Sequence, residues 1–476
     1  MAKSTVVLLP VWGAGHFMPM IEAGKRLIRG SGGALFVTVL LMPAPTADAV
    51  SSIADHVRRE EASGVDIRFH HLPAVDLPTD HTGIEEWVSR IVESHAPNVK
   101  ATIAGLSCPV AALVTDIFCT PALDVSRELA VPAYIYFTCS ASMLALFLRL
   151  PALDEEVAVE FEEVAGTLDV PGMPPLPPSS LPSTMLDRTK STYKWFVSTG
   201  RRYMDAAGII VNTAAELEQS VLAAIADGRC TGGIPTPTVY PIGPVLSFPP
   251  PSEQPHECVR WLHSQPPASV LFLCFGSKGI ISASKVREIA DGLERSGHRF
   301  LWVLRGVPVD SRHCARDARD ADLDELLPEG FLEKTKERGL VWPTRAPQKE
   351  ILAHAAVGGF VTHCGWNSIL ESLWFGVPML PWPLDADQHF NAFTLVSHLG
   401  VAVPLKMDRR RNNLVEAADL EQAVRALMGG GSEDGRKARE KAAEMKAVCR
   451  NAVEESGSSC AAFQRLTEEV QNGACF

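Results

Sequence analysis

Gly359-Phe360-Val361-Thr362-His363-Cys364-Gly365-Trp366-Asn367-Ser368-Ile369-Leu370-Glu371 reads as an apolar strand, a tight turn and the start of a helix. A strand that is apolar on both faces and passes at once into a helix belongs to a parallel sheet covered on both sides. The same pattern extends outward. Around it lie expected strands at 270–275, 300–304, 340–342, 377–380 and 401–405, with helices near 284–296 and from about 367. The first half alternates in the same way, with strands at 5–11, 35–42, 67–72, 111–115 and 133–137 and helices near 17–29 and 84–103. The 476 residues exceed what one hydrophobic core organises. The expected fold class is therefore α/β, with two doubly wound parallel-sheet domains. The proline-dense run at 242–256 reads as the linker, which separates an N-terminal domain (1–241) from a C-terminal domain (257–455). A final helix at 456–476 is expected to cross back onto the first domain.

The composition limits the functions available. With 46% hydrophobic and 21% charged residues the chain resembles a globular average. The net charge of −12 argues against the basic footprint that nucleic acid or an anionic membrane requires. Eleven cysteines, an odd number without a CxxC pair, read as reduced thiols in a cytoplasmic protein. The apolar start at 5–11 is too short for a signal peptide. Pro132 and the polar stretch Thr138 to Ser142 divide the apolar run 129–148 into a strand, a turn and a helix start, so no integral-membrane segment is expected. The prolines of 170–182 mark a loop, and the mixed charges of 308–325 mark a solvated insert. The stretch 433–470 is expected to be helical.

Ligands of open parallel sheets bind beyond the carboxyl ends of the strands. That rule selects Trp12-Gly13-Ala14-Gly15-His16 after the first strand and Asp116 after the strand ending at Thr115. Each has a plain alternative as a helix cap. Together they match a general base and the carboxylate that sets its tautomer. In the second half the helix start at Gly365 to Ser368, with His363, Asn367 and Ser368, forms a phosphate cradle without a P-loop lysine. Glu371, one turn beyond Ser368, suits the two hydroxyls of a ribose; a capping box from Ser368 to Glu371 is the competing reading. Asp385-Ala-Asp387 resembles a cation-binding motif, but one that is short and frequent by chance, beside a helix start that already supplies phosphate donors; His354, His363 and Cys364 could be drawn as zinc ligands but lack a fourth partner and the usual spacing, and no metal is expected. Trp12, Phe17, Phe118, Met143 and Phe147 are expected to line an apolar slot for a flat ligand.

From Arg345-Ala-Pro-Gln348 through His363-Cys-Gly-Trp-Asn-Ser368, Glu371 and Gly376-Val-Pro to Asp387-Gln388, the chain resembles the secondary-product box of plant UDP-sugar glycosyltransferases, in order and in spacing. The Gly13-Ala-Gly-His16 turn, Thr115-Asp116, Thr138-Cys-Ser140 and Cys274-Phe-Gly-Ser277 are similar to further landmarks of that family. The resemblance implies the GT-B fold, two Rossmann-like domains facing across a cleft with the acceptor bound by 1–241 and the UDP-sugar by 257–455, and a UDP-sugar donor, UDP-glucose being the expected one. It implies that Ala346 and Gln348 bind the uracil, Glu371 the ribose, and Ser277, His363, Asn367 and Ser368 the diphosphate. Trp366, Asp387 and Gln388 would contact the hexose, with Thr138 reaching it from the first domain. His16 would be the base and Asp116 its partner. Where the family's box opens with a tryptophan, this sequence has Arg345, whose planar guanidinium stacks with less apolar area but adds charge.

The expected function is inverting transfer of a hexose to a phenolic plant metabolite such as a flavonoid or phenylpropanoid, giving a β-glycoside, by a monomeric enzyme. The alternatives are C-glycosylation of the same acceptors, a nucleotide-sugar epimerase, or a UDP-sugar-binding protein without turnover.

Overall fold

The computed structural model describes residues 3–248, 254–276, 279–306 and 319–473. The chain forms two compact units, one built from Met1–Ser247 with Asn451–Phe476 and the other from Phe248–Arg450.

In the first unit β1 (Ser4–Leu9), β2 (Leu35–Leu41), β3 (Ile67–His71), β4 (Val110–Asp116), β5 (Ala133–Phe137), β6 (Gly208–Val211) and β7 (Thr238–Pro241) form one sheet. Their order is β3-β2-β1-β4-β5-β6-β7, and every pairing is parallel. The direction of winding reverses between β1 and β4, which places the switch point there. All seven residues of β2 and all five of β5 are buried, as strands covered on both faces must be. The helix Ala14–Gly30 buries Phe17, Met20, Ile21, Gly24 and Leu27, one stripe at helical spacing. Gly24 lets this helix approach the sheet, since a Cβ there would lie 3.0 Å from a Leu8 methyl.

The C-terminal helix Ser458–Gly473 packs on this same sheet. Phe463, Leu466 and Val470 join the core that holds Leu8, Leu27 and Val114. The Glu469 carboxylate accepts hydrogen bonds from Tyr134 of β5, at 3.0 Å, and from Tyr240 of β7. The run 129–148 resolves into β5, a turn and the helix Ala141–Glu156. The strand β6, the edge strand β7 and the helix Ala47–Ala62 are elements that the sequence reading did not identify.

The second unit repeats the winding. Its strands are β8 (Val270–Cys274), β9 (Arg299–Val303), a two-residue antiparallel pair β10 (Arg305–Gly306) and β11 (Arg319–Asp320), then β12 (Gly339–Trp342), β13 (Val357–Thr362) and β14 (Met379–Pro381). The main sheet runs β12-β9-β8-β13-β14, all parallel, with its switch point between β8 and β13. Two expectations change here. The strand expected at 377–380 starts later, because left-handed Gly376 ends the preceding helix and the Val377 N–H turns back to the Ser372 carbonyl. The strand expected at 401–405 reduces to a single bridge between Met379 and Ala402, since Pro404 has no N–H to extend the ladder. The charged insert lies largely outside the described residues; 433–470 is mostly helical, in Glu433–Ala452 and Ser458–Gly473. Among the described residues no helix is long and apolar enough to cross a membrane.

Candidate active site

The first unit brings three strand ends together at its switch point. After β1 the chain turns through Trp12 and Gly13, and the helix opens with Gly13 as its cap, so His16 lies in the first turn. Gly15 sits exposed beside it. Asp116 is the last residue of β4 and is fully buried. The His16 Nδ1 lies 2.8 Å from Asp116 Oδ2. A carboxylate accepts, so Nδ1 carries the hydrogen and Nε2 keeps its lone pair, the tautomer a general base needs. The other carboxylate oxygen accepts from the Phe118 N–H at 3.2 Å, which fixes the plane of the group. Thr138, just beyond β5, places its hydroxyl 3.3 Å from the same His16 Nδ1. Glu218 holds that segment in place. Its buried carboxylate accepts from the Ala141 and Ser142 amides at 2.9 and 2.8 Å and from the Ser142 hydroxyl at 2.6 Å, closing the start of the helix Ala141–Glu156.

The expected acceptor residues divide. Phe118 packs 5.2 Å from the His16 ring, and Trp12 is half-buried with its indole N–H on the Met42 carbonyl. Phe17, Met143 and Phe147 instead lie within the unit's interior, each no more than 3% exposed. Phe17 stacks on His56, and Phe147 stacks on Tyr203 with its edge against Phe137 and Phe196. Their helical spacing was that of core positions. Two tryptophans missed in the sequence take up neighbouring positions: Trp195, 5.7 Å from Phe118, and Trp87, 6.3 Å from Trp12. Both stand on helices far from β1 in sequence, and only the fold brings them close.

In the second unit the helix Trp366–Phe375 starts from Gly365 without a side-chain cap, so its positive end is not neutralised by a carboxylate. The capping-box reading fails, because the serine of a box must occupy the cap position and Ser368 is the third helical residue. Cys364 adopts a left-handed conformation (φ 66°), a strain of about 1–3 kcal/mol for a residue with a side chain. The Thr362 hydroxyl supports it by accepting from the Cys364 N–H at 3.1 Å. The His363 ring lies against two glycines: a Cβ on Gly276 would come within 2.8 Å of it, and one on Gly365 within 2.5 Å. Burial pushes the His363 imidazole down to about 4, so it is neutral near pH 7 and offers hydrogen bonds rather than charge.

Gln348 opens the helix Gln348–Ala353, and its amide donates to the Ser368 hydroxyl at 2.9 Å and to Glu371 at 2.7 Å. Three of the expected donor residues thus form one connected group. Burial raises the Glu371 carboxyl above its usual range, against the stabilising hydrogen bond from Gln348. Ala346 stands half-buried just before that helix, and Trp366 is buried in the first turn of its own. Gln388 turns its side-chain carbonyl back to the amides of Leu384 and Asp385, and Asp387 accepts from Asn391. Arg345 is exposed, and its carbonyl accepts from the Trp342 indole, whose ring packs on His256. Ser277 lies outside the described residues. Among the described residues no three His, Cys, Asp or Glu side chains gather as metal ligands would.

The chain is similar to known proteins over nearly its whole length. Residues 228–434 match the family model described as UDP-glucoronosyl and UDP-glucosyl transferase. The chain is 79% identical to malvidin galactosylase UGT88C3 of Oryza sativa subsp. japonica, over 99% of this chain and 98% of that protein. It is 36% identical to the anthocyanidin 5,3-O-glucosyltransferase of a Rosa hybrid cultivar, over 98% and 99% of the two chains. Among solved structures, Phytolacca americana UGT2 complexed with UDP-2fluoro-glucose and pterostilbene superposes with a TM-score of 0.84 at 34% identity, covering 98% of this chain and 100% of that one. With two parallel-sheet units whose switch points carry a histidine–carboxylate pair and an uncapped helix start, the chain belongs to the plant UDP-glycosyltransferase family and is a UDP-sugar-dependent transferase.

Proposed function

We propose that this enzyme transfers a hexose, with inversion, from a UDP-sugar to a hydroxyl of a flavonoid-type phenol, and that His16 and Asp116 carry the proton chemistry. The observation behind this is the 2.8 Å contact between His16 Nδ1 and buried Asp116 at the switch point. Nε2 takes the phenolic proton as the oxygen attacks the anomeric carbon, and Asp116 stabilises the resulting imidazolium. The bond to the diphosphate breaks on the opposite face, so an α-linked donor yields a β-glycoside. Negative charge on the departing UDP is met by the helix start at Gly365 and the side chains of Asn367 and Ser368, with His363 as a neutral donor. Glu371 takes the ribose hydroxyls, Ala346 and Gln348 face the uracil, and Asp387 and Gln388 grip the hexose. This chemistry needs no metal. A cytoplasmic enzyme accords with the free cysteines among the described residues.

The acceptor class draws support from relatives named for malvidin and anthocyanidin. UDP-glucose is the donor expected from the family, while the name of the 79% relative sets UDP-galactose beside it. The test is to incubate each donor with and without a flavonoid panel, including anthocyanidins, and to follow UDP release and product mass with fragmentation. Acceptor-dependent release with an O-linked hexose is the expected result. A C-linked product, isomerisation of the UDP-sugar, or binding without release would each replace the proposal.

A further inference from the structure

Asn391 lies on the helix Gln388–Phe393, is fully buried, and has no place in the chemistry described so far. Its side-chain nitrogen makes two hydrogen bonds, to the Cys364 carbonyl at 2.9 Å and to Asp387 Oδ2 at 2.8 Å. Both partners are acceptors, so the nitrogen must face them; the Oδ1 on the other side is buried and meets no partner among the described residues. One amide group therefore ties the turn at 363–365 to the carboxylate at 387. The first bond matters for direction. In a trans peptide the C=O and N–H point opposite ways, so holding the Cys364 carbonyl aims the Gly365 N–H away from Asn391. That N–H makes no hydrogen bond to a described residue. The same contact helps to keep Cys364 in its left-handed conformation. The second bond sets the plane of the Asp387 carboxylate.

We propose that Asn391 is a positioning residue for the donor: through a single side-chain amide it orients both the Gly365 peptide, which faces the diphosphate, and the Asp387 carboxylate, which faces the hexose. The inference rests on the donor reading of residues 363–388. Its consequence is that phosphate and sugar recognition are set together by a residue that touches neither.

The test compares Asn391→Leu, which keeps the volume and removes both bonds, with Asn391→Asp, which keeps the shape but puts a second carboxylate beside Asp387. Inhibition constants for uridine and UDP are measured with KM for UDP-glucose, UDP-galactose and the acceptor. Both variants should weaken UDP and the UDP-hexoses about tenfold or more, the scale of hydrogen bonds to charged groups. Uridine inhibition and acceptor KM should change less than about twofold, and the ratio of the two UDP-hexose KM values should shift. Unchanged UDP and UDP-hexose constants overturn the proposal. So does an equal loss of uridine binding, or loss of cooperative melting in both variants, since either shows a general structural role. Asp387→Asn and Glu371→Ala run in parallel separate the two levels. If they also leave the donor constants unchanged, it is the donor reading that has failed; if they weaken the donor while Asn391 variants do not, only the role of Asn391 is lost.

Discussion

The proposed role of His16 as a base requires one tautomer, and the partner that selects it is 100 residues away in sequence. His16→Ala should lower kcat by about 10²–10⁴-fold on a weakly acidic phenol and leave UDP affinity unchanged. Asp116→Asn should impair the same step, because its effect passes through the imidazole. A double variant slowed by the product of the two single losses, measured in steady-state kinetics, would show that the residues act separately. Arg345 is the second residue with a clear expectation. If it stacks on the uracil less well than an indole, Arg345→Trp tightens UDP-glucose by about 0.5–1.5 kcal/mol. That is up to about tenfold in Kd. Calorimetric titration at low and high salt checks this; weaker binding by the tryptophan variant at every salt concentration would show that the guanidinium is itself an adapted donor contact.

At the scale of elements, the helix starts do the positioning. The helix Ala141–Glu156 is closed at its N-terminus by Glu218, whereas the helix Trp366–Phe375 has no side-chain cap. The two starts therefore differ: one anchors the Thr138 segment beside His16, and the other leaves its positive end uncapped, as the proposed diphosphate contact requires. Glu218→Ala leaves buried amides of Ala141 and Ser142 without their acceptor, at about 1–3 kcal/mol for each unsatisfied group. Thermal melting should show the loss, and kcat should fall with it as the Thr138 segment relaxes. Glu218→Gln, which keeps one acceptor oxygen, should fall between the wild type and Glu218→Ala on both measures.

At the scale of the whole molecule, the first unit depends on a helix from the far end of the chain. Leu466 is 1% exposed in the core beneath β1 and β4, so Leu466→Ala should cost about 2–5 kcal/mol of stability. That is a large share of a usual folding stability of about 5–15 kcal/mol. Urea unfolding should show the loss in the first unit while UDP affinity stays unchanged. The second unit has its own acid sensitivity. Burial pushes His363 and His389 down to about 4, from a usual value near 6.5. Between those values the unfolded chain binds protons that the folded unit refuses, so stability is full above about pH 6.5 and falls as pH drops toward 4. The slope is up to about 1.4 kcal/mol per pH unit for each histidine. His389→Gln should make that slope shallower in melts taken across the window.

Much of this molecule was legible before its structure. Parallel strands could be read from runs such as Leu35 to Leu41 because a strand buried on both faces carries apolar residues at every position, a local property. The local geometry of the proposed donor site follows in the same way from the sequence: His363 to Glu371 lie on one strand end and the helix that follows, so spacing alone sets their geometry. Tertiary structure decided what spacing could not. Phe17 and Phe147 had the chemistry of an acceptor wall and became core, because a helix has one buried stripe and the sheet behind it chooses which residues fill it. Trp195, Glu218 and Asn391 carried no local signal, since each acts on a segment distant in sequence or around a turn that only the folded chain forms. The pairing of His16 with Asp116 was an inference from two strand ends, and it became a 2.8 Å hydrogen bond only because β1 and β4 are neighbours at the point where the sheet reverses its winding.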